Sequence, residues 1–465
     1  MRKIKLGQGV STDAVLLMFI KLVTMALGLV VTRLLSEYLQ VYDYGTYSQV
    51  LLVINTVATL TILGMMDGVN YFYCGEKDTD KRERCVSTIF ALQCVVSTAA
   101  GIVVLCLTKP LCAYFDNPDV AELLIFAAVL PLLQNLLGMF QVLLVSVGKA
   151  RMLAVRNLVV SLARLAAVIV VVQLVHNVAV VFAATLMLDL CQIVLFVWIL
   201  RKNRCVIRLR DVDFRLFKTI FSYCAPMAVF TMVSALNRDL DKYLIAWVTD
   251  TQTLAVYTNA SKKLPFDIVV SSFSTVLIPQ MTQRISRREY EGAVQLYRSF
   301  LEIGYISTAV LCCTALTVAP QLMQLLYSEK YLAGLPVFCI YILVDMLLFT
   351  NITLVLSAAG KTRMLMAFGV GTLTANAGLN VLLYVWLGVT GPAVATLLVT
   401  AASGMILVVL GAKQLKTKPQ ALFDWRFLLH FAAEVAGLVA VFSCIRIWLT
   451  GYIQNYVWLL LIVGG

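Results

Sequence analysis

The sequence predicts an all-α polytopic membrane protein of about 14 transmembrane helices. They are arranged as two six-helix bundles related by a pseudo-twofold axis along the membrane normal, plus a C-terminal helix pair. Three observations carry this expectation. Hydrophobic residues fill 61% of the 465 positions and charged residues 13%, and the mean hydropathy is +0.90, far outside ordinary soluble domains. The apolar residues come in continuous runs of about 20, enough to cross a ~30 Å hydrocarbon core as helix. A β-barrel would show ~10-residue alternating segments instead. Finally, the stretch VGKARML at 147–153 returns as AGKTRML at 359–365.

Taken in order, the apolar runs place spans near 11–35, 44–66, 85–108, 120–147, 150–174 and 177–200. The second half repeats the series near 217–248, 254–282, 293–327, 333–358, 361–387 and 390–413. A further span lies near 427–449, and a last, short run begins at Tyr452. The expected domains are an N-terminal lobe over 1–200, a basic cytoplasmic linker over 201–216, a C-terminal lobe over 217–414 and a helix pair over 415–465. The first span is too long for a cleavable signal peptide and is followed by no small-residue cleavage pattern.

Most Lys and Arg fall at the N-terminus or in alternate loops: Arg2 to Lys5, Lys77 to Arg84, Lys149 and Arg151, Arg201 to Lys218, Arg284 to Arg298, Lys361 and Arg363, and Lys413 to Arg426. In the opposite loops stand only Lys109 and Lys330. That asymmetry predicts a cytoplasmic N-terminus. Both basic elbows then become cytoplasmic turns. They stand six spans apart, an even number, so the two halves enter the membrane from the same side, as in transporters with parallel repeats. The Gly-Lys-Thr of the second elbow is no phosphate loop, because Val355 stands where the first glycine of that motif belongs. The twelve cysteines lie almost entirely within spans, which excludes a disulfide framework and shows no metal spacing. The two histidines, His176 and His430, have no ligand companions nearby in sequence. No metal or cofactor is expected.

The informative residues are charges inside the spans. Lys21, Arg156, Arg164, Arg238, Lys242, Lys262 and Lys263 are too deep to reach the interface. At roughly 2.5–3.5 kcal/mol per lipid-facing charge near the bilayer centre, they must face protein or water. Helical spacing groups them with polar partners. Asn157, Ser161 and Arg164 share one face of the fifth span, while Thr372, Asn376 and Asn380 share one face of its repeat mate. Arg238 to Lys242 and Lys262 with Lys263 share a depth of about 9–15 Å below the outer turn. Local ion pairs, such as Arg238 with Asp241 or Lys263 with Asp267, are one explanation. A cationic cavity for an anion such as a pyrophosphate is the other. Asp189, Asp267, Glu302 and Asp345 are candidate proton or sodium sites, since intramembrane carboxylates are costly unless used or paired. No nucleotide loop exists, so any drive comes from an ion gradient or from use of the product.

TRLLSEYLQVYDYGTYSQVLLVI (Thr32 to Ile54) and LGMMDGVNYF (Leu63 to Phe72), with SYCAPMAV, LDKYLIAW and LYSEKYLAGLPVF further on, resemble the polysaccharide transporter family. These are the Wzx-type flippases of the multidrug/oligosaccharidyl-lipid/polysaccharide (MOP) superfamily. The resemblance implies a multi-pass protein of the bacterial inner membrane. It would turn undecaprenyl-pyrophosphate-linked oligosaccharides from the cytoplasmic to the outer leaflet for O-antigen, capsule or exopolysaccharide. It also implies membrane lipids, a polysaccharide polymerase and a chain-length regulator as partners, and cavity cations that hold the pyrophosphate. A MATE-like multidrug exporter and a lipid II flippase are the alternatives within the superfamily. A membrane polymerase or ligase would need a large outer loop with converging catalytic groups, which this sequence lacks, so no enzyme is expected.

Overall fold

The computed structural model describes residues 8–450, apart from 76–77, 176, 203–206, 265, 267–276, 278–279, 352 and 423–424. The described residues form helices joined by short turns, with no strand. The first eight helices are α1 (Gln8–Tyr38), α2 (Val41–Ile62), α3 (Met65–Gly75), α4 (Thr79–Cys106), α5 (Thr108–Phe115), α6 (Val120–Ser146), α7 (Ala150–Leu174) and α8 (Val178–Lys202). Next come α9 (Phe217–Val248), α10 (Thr251–Ala260), α11 (Tyr290–Thr317), α12 (Ala319–Tyr327) and α13 (Leu335–Leu347). The series ends with α14 (Leu354–Ala358), α15 (Thr362–Leu387), α16 (Gly391–Gln414) and α17 (Trp425–Thr450). Among the described residues, nine stretches are long and apolar enough to cross a membrane. The chain is thus a multi-pass, all-helical membrane protein. Of the expected spans, 254–282 is described only in part and the run from Tyr452 lies outside the described residues.

Several expected spans are broken helices. The run over 44–66 ends at Ile62, where Leu63 turns left-handed (φ 45°), and α3 starts two residues later. The run over 293–327 breaks at Val318, because Pro320 lacks the N–H that would continue the ladder and instead starts α12. At Asp250 the chain turns and α10 begins. The Asp250 carboxylate accepts from the Thr253 amide (2.8 Å) and hydroxyl (3.0 Å), as a helix cap does. Burial raises this carboxyl, but the hydrogen bonds it accepts, from Thr253 first and then from the Gln252 and Asp250 amides, together outweigh burial and hold it below its ordinary range. Its stabilising share is therefore present above the unfolded value near ~4 and lost as pH falls through the folded one.

The chain packs as two compact units. The first comprises Met1–Ala235 with Thr249–Ala255, the second Leu236–Val248 with Val256–Gly465. In the first unit α6 is central, packing against α2, α4 and α8, while α1 lies along α7. Apolar residues all round α6 suit that place, and Leu124, Ala127, Leu130, Met139 and Leu143 are almost fully buried. Its one buried amide, Asn135, donates to the Ala58 carbonyl and the Thr61 hydroxyl, both at 2.9 Å, which ties α6 to α2. A core of Val69, Ile89, Phe140, Phe196 and Ile199 also takes in Ile220 and Cys224. The first part of α9 therefore belongs to this unit. In the second unit α11 packs on α13 and α17, and α16 on α13 and α15. The core there runs through Tyr297, Phe300, Phe349, Val355 and Val408.

α4 meets α6 through Gly101, where a Cβ would stand 2.3 Å from the Ala128 carbonyl oxygen. Alanine favours helix over glycine by about 1 kcal/mol, but an obstructing backbone carbonyl cannot rotate away. Gly101→Ala is therefore expected to be net destabilising by about 1–3 kcal/mol, read as a lower midpoint in a thermal melt of the purified protein.

The two repeated elbows fold alike. After α6, the Gly148 amide donates to the Val145 carbonyl (2.8 Å) and the Lys149 amide to the Leu144 carbonyl (3.0 Å). After α14, the Gly360 amide donates to Ser357 and the Lys361 amide to Leu356, both at 3.0 Å. This is the paired closure of a Schellman turn, which needs a left-handed residue after the last helical one. Gly148 (φ 80°) and Gly360 (φ 66°) supply it. In open space around both sites, alanine would meet only backbone strain. Gly148→Ala and Gly360→Ala are each expected to cost about 1–2 kcal/mol, and equal costs, read from thermal melts, would confirm that the two turns do the same work.

Candidate functional site

Polar side chains within the expected spans gather into two clusters, one in each unit. In the first unit, α7 and α8 lie side by side. Arg156, although only 7% exposed, donates to the Asn157 side-chain oxygen at 2.8 Å and to the Gln192 side-chain oxygen. Its guanidinium lies 4.4 Å over the Phe196 ring, where delocalised charge is tolerated. Gln192 then donates to the buried Asp189 carboxylate at 2.9 Å, and Arg164 stands 3.7 Å from the same carboxylate. The chain of contacts runs Asn157, Arg156, Gln192, Asp189, Arg164. Arg156 is its anchored interior, whereas the Arg164 side chain is 46% exposed.

Beside this chain opens a cavity of about 450 Å³. Asn157, Ser161 and Arg164 reach it from one face of α7, and Asp189 and Gln192 from α8. Gln134 and Gln141 reach it from α6, seven residues apart and so on one face. Lys21, on α1, is exposed and outside this lining. Of the expected residues, the structure thus brings together Arg156, Asn157, Ser161, Arg164 and Asp189. It adds Gln134, Gln141 and Gln192, for which the only sequence signals were the seven-residue spacing on α6 and the step of three from Asp189.

In the second unit, Asp241 is 1% exposed and accepts from the Tyr257 hydroxyl at 2.8 Å and from the Tyr341 hydroxyl. An Arg238–Asp241 pair does not form. Two phenols hold the carboxylate instead, and Lys242 pairs with Asp239 at 2.6 Å. Lys262 donates to the Asn259 side chain at 3.2 Å and lies 5.8 Å over the Tyr327 ring. Asp345 accepts the Leu264 amide at 2.8 Å, which fixes the chain just after α10. Asn376 donates to the Asn237 carbonyl and side chain (3.3 and 3.0 Å), and Asn380 is buried behind it. Glu302 is held by Arg298 at 2.7 Å, one turn away, as an exposed helical pair. Asp267 lies outside the described residues. Arg238 and Lys263 are exposed and form no ion pair among the described residues. No group of three His, Cys, Asp or Glu that could hold a metal occurs among the described residues.

The cations within the expected spans therefore differ. Arg164 and Lys242 are paired with carboxylates, Arg156 is buried against neutral amides, and Arg238 and Lys263 are exposed without an ion pair among the described residues. Chemically the clusters can hold anionic and hydroxyl-bearing groups, and among the described residues of these clusters no nucleophile, base and orienting acid converge.

A family model described as polysaccharide biosynthesis protein matches residues 30–336. Among solved structures, the chain is similar to the lipid II flippase MurJ in an inward closed conformation, with TM-score 0.74 and 14% identity over 97% of this chain and 96% of that one. It is similar to an inward-facing multidrug resistance MATE family transporter of the MOP superfamily, with TM-score 0.68 and 14% identity over 84% and 94%. A third similar structure is a MOP superfamily transporter from Pyrococcus furiosus, reported with reversed polarity of its binding pocket, with TM-score 0.60 and 14% identity over 87% and 95%. No curated protein sequence matches. The fold is that of the MOP transporters, as the sequence resemblance implies.

Proposed function

Because this chain belongs to the polysaccharide biosynthesis protein family, we propose that it flips undecaprenyl-pyrophosphate-linked oligosaccharides across a bacterial inner membrane by alternating access. The product would feed O-antigen, capsule or exopolysaccharide synthesis, with a polymerase and a chain-length regulator downstream. One observation supports the reading: Arg238 and Lys263, which the hydropathy pattern places within spans, are exposed and without an ion pair among the described residues. Facing lipid, each such charge would cost roughly 2.5–3.5 kcal/mol, whereas a pyrophosphate would give each one charge-assisted hydrogen bonds. A pocket for organic cations would instead be acidic and aromatic. For energy coupling to a proton or sodium gradient, Asp189 and Asp345, which are buried, come ahead of Glu302, which is partly exposed.

The test is transport in proteoliposomes carrying a fluorescent undecaprenyl-pyrophosphoryl glycan. Arg238→Gln and Lys263→Gln each remove one charged hydrogen bond, about 1.5–3 kcal/mol, so flipping should fall at least about tenfold at unchanged protein level. Wild-type rates in both variants, or transport of lipophilic cations in place of the glycolipid, would overturn the assignment.

A further inference from the structure

The cavity of the first unit has the wrong lining for a diphosphate. Its charged residues are Arg164 and Asp189, which already face each other at 3.7 Å and sum to zero. The other nearby cation, Arg156, is outside the lining; it is buried, bonded to the side-chain oxygens of Asn157 and Gln192 and stacked over Phe196. A diphosphate entering here would meet the Asp189 carboxylate and the acceptor oxygens of several amides.

The uncharged lining points elsewhere. Gln134, Gln141 and Ser161 make no side-chain hydrogen bond among the described residues, and Asn157 has committed only its oxygen. Each unmet polar group of this kind costs about 1–3 kcal/mol if kept dry, so water fills the cavity when it is empty. A ligand that displaces such water must return its hydrogen bonds. Carboxamides and hydroxyls offer donors and acceptors together, which matches hydroxyl groups and not phosphate oxygens, since the latter only accept. Leu137 and Val160 add an apolar wall against which the C–H face of a pyranose can lie. The volume of about 450 Å³ falls in the about 300–1,000 Å³ range of small-molecule sites.

We infer that this cavity holds a sugar ring of the lipid-linked glycan, while the diphosphate is held by other cations of the chain. The inference rests on the flippase reading above. It makes Gln134, Gln141, Asn157 and Ser161 the residues that decide which glycan is accepted.

Full-length protein in nanodiscs, titrated with bare undecaprenyl pyrophosphate and with a panel of undecaprenyl-pyrophosphoryl mono- and disaccharides, tests it. At least one glycosylated lipid should bind wild type about tenfold or more tighter than the bare lipid. Gln141→Leu and Gln134→Leu should erase that preference and leave affinity for the bare lipid unchanged. If either variant melts lower than wild type, Ser161→Ala, a smaller change, is read in its place. Arg238→Gln should weaken bare and glycosylated lipids alike. A glycan that adds nothing for any panel member, or glutamine variants that weaken the bare lipid equally, would overturn the sugar assignment and spare the flippase reading. Failure of wild type to bind either form would overturn both.

Discussion

Asp241→Ala is expected to lower the stability of the second unit by about 3–4 kcal/mol. The carboxylate is 1% exposed and is the acceptor for the hydroxyls of Tyr257 and Tyr341, both nearly fully buried. Truncation leaves two donors without a partner, at about 1–3 kcal/mol each, and opens a small cavity. Asp241→Asn keeps one acceptor oxygen and should lose markedly less. Tyr257→Phe and Tyr341→Phe, which remove one donor each, should fall between the asparagine variant and wild type. Thermal melts of the purified protein check the order. An alanine variant as stable as the asparagine one would show that the phenols find other acceptors.

The second large effect should come from Asp189→Leu. Buried Asp189 is the counter-charge shared by Arg164, at 3.7 Å, and by buried Arg156, to which it is linked through Gln192. Removing one side of a buried charge arrangement costs about 3–5 kcal/mol, because the remaining charge is left uncompensated. Removing both costs far less. The pair Arg156→Met with Asp189→Leu should therefore recover most of the loss, and the two single changes should be strongly non-additive in a double-mutant cycle. Additive losses would mean that the two groups do not sense each other.

How far the sequence reads ahead of the structure depends on the range of the interaction. The repeated elbow is a local device: Gly148 and Gly360 close their helices with bonds that span five residues or fewer, so matching residues yield matching turns. Asn157, Ser161 and Arg164 share a helix face, and helical periodicity alone places them together at one cavity. The pairing of Arg238 with Asp241 is a different case. Both sit three residues apart on α9, yet Tyr341, a hundred residues further on, helps to claim the carboxylate. No local pattern signals that competition. The division of α9 is equally invisible in sequence, because Ile220 and Cys224 join a core whose other members come from α2, α3, α4, α6 and α8.

By itself the sequence determined that this chain is a multi-pass helical membrane protein of the polysaccharide biosynthesis family, with charges where hydrocarbon forbids them. Hydropathy, periodicity and short turns are sums over neighbouring residues, and they need no knowledge of what lies opposite. Only the tertiary structure decided which of those charges are paired, as Arg164 and Lys242 are, and which stand exposed without an ion pair among the described residues, as Arg238 and Lys263 do. Coulomb attraction and hydrogen bonding at buried sites act over a few ångströms between side chains that folding, and not the order of residues, brings side by side.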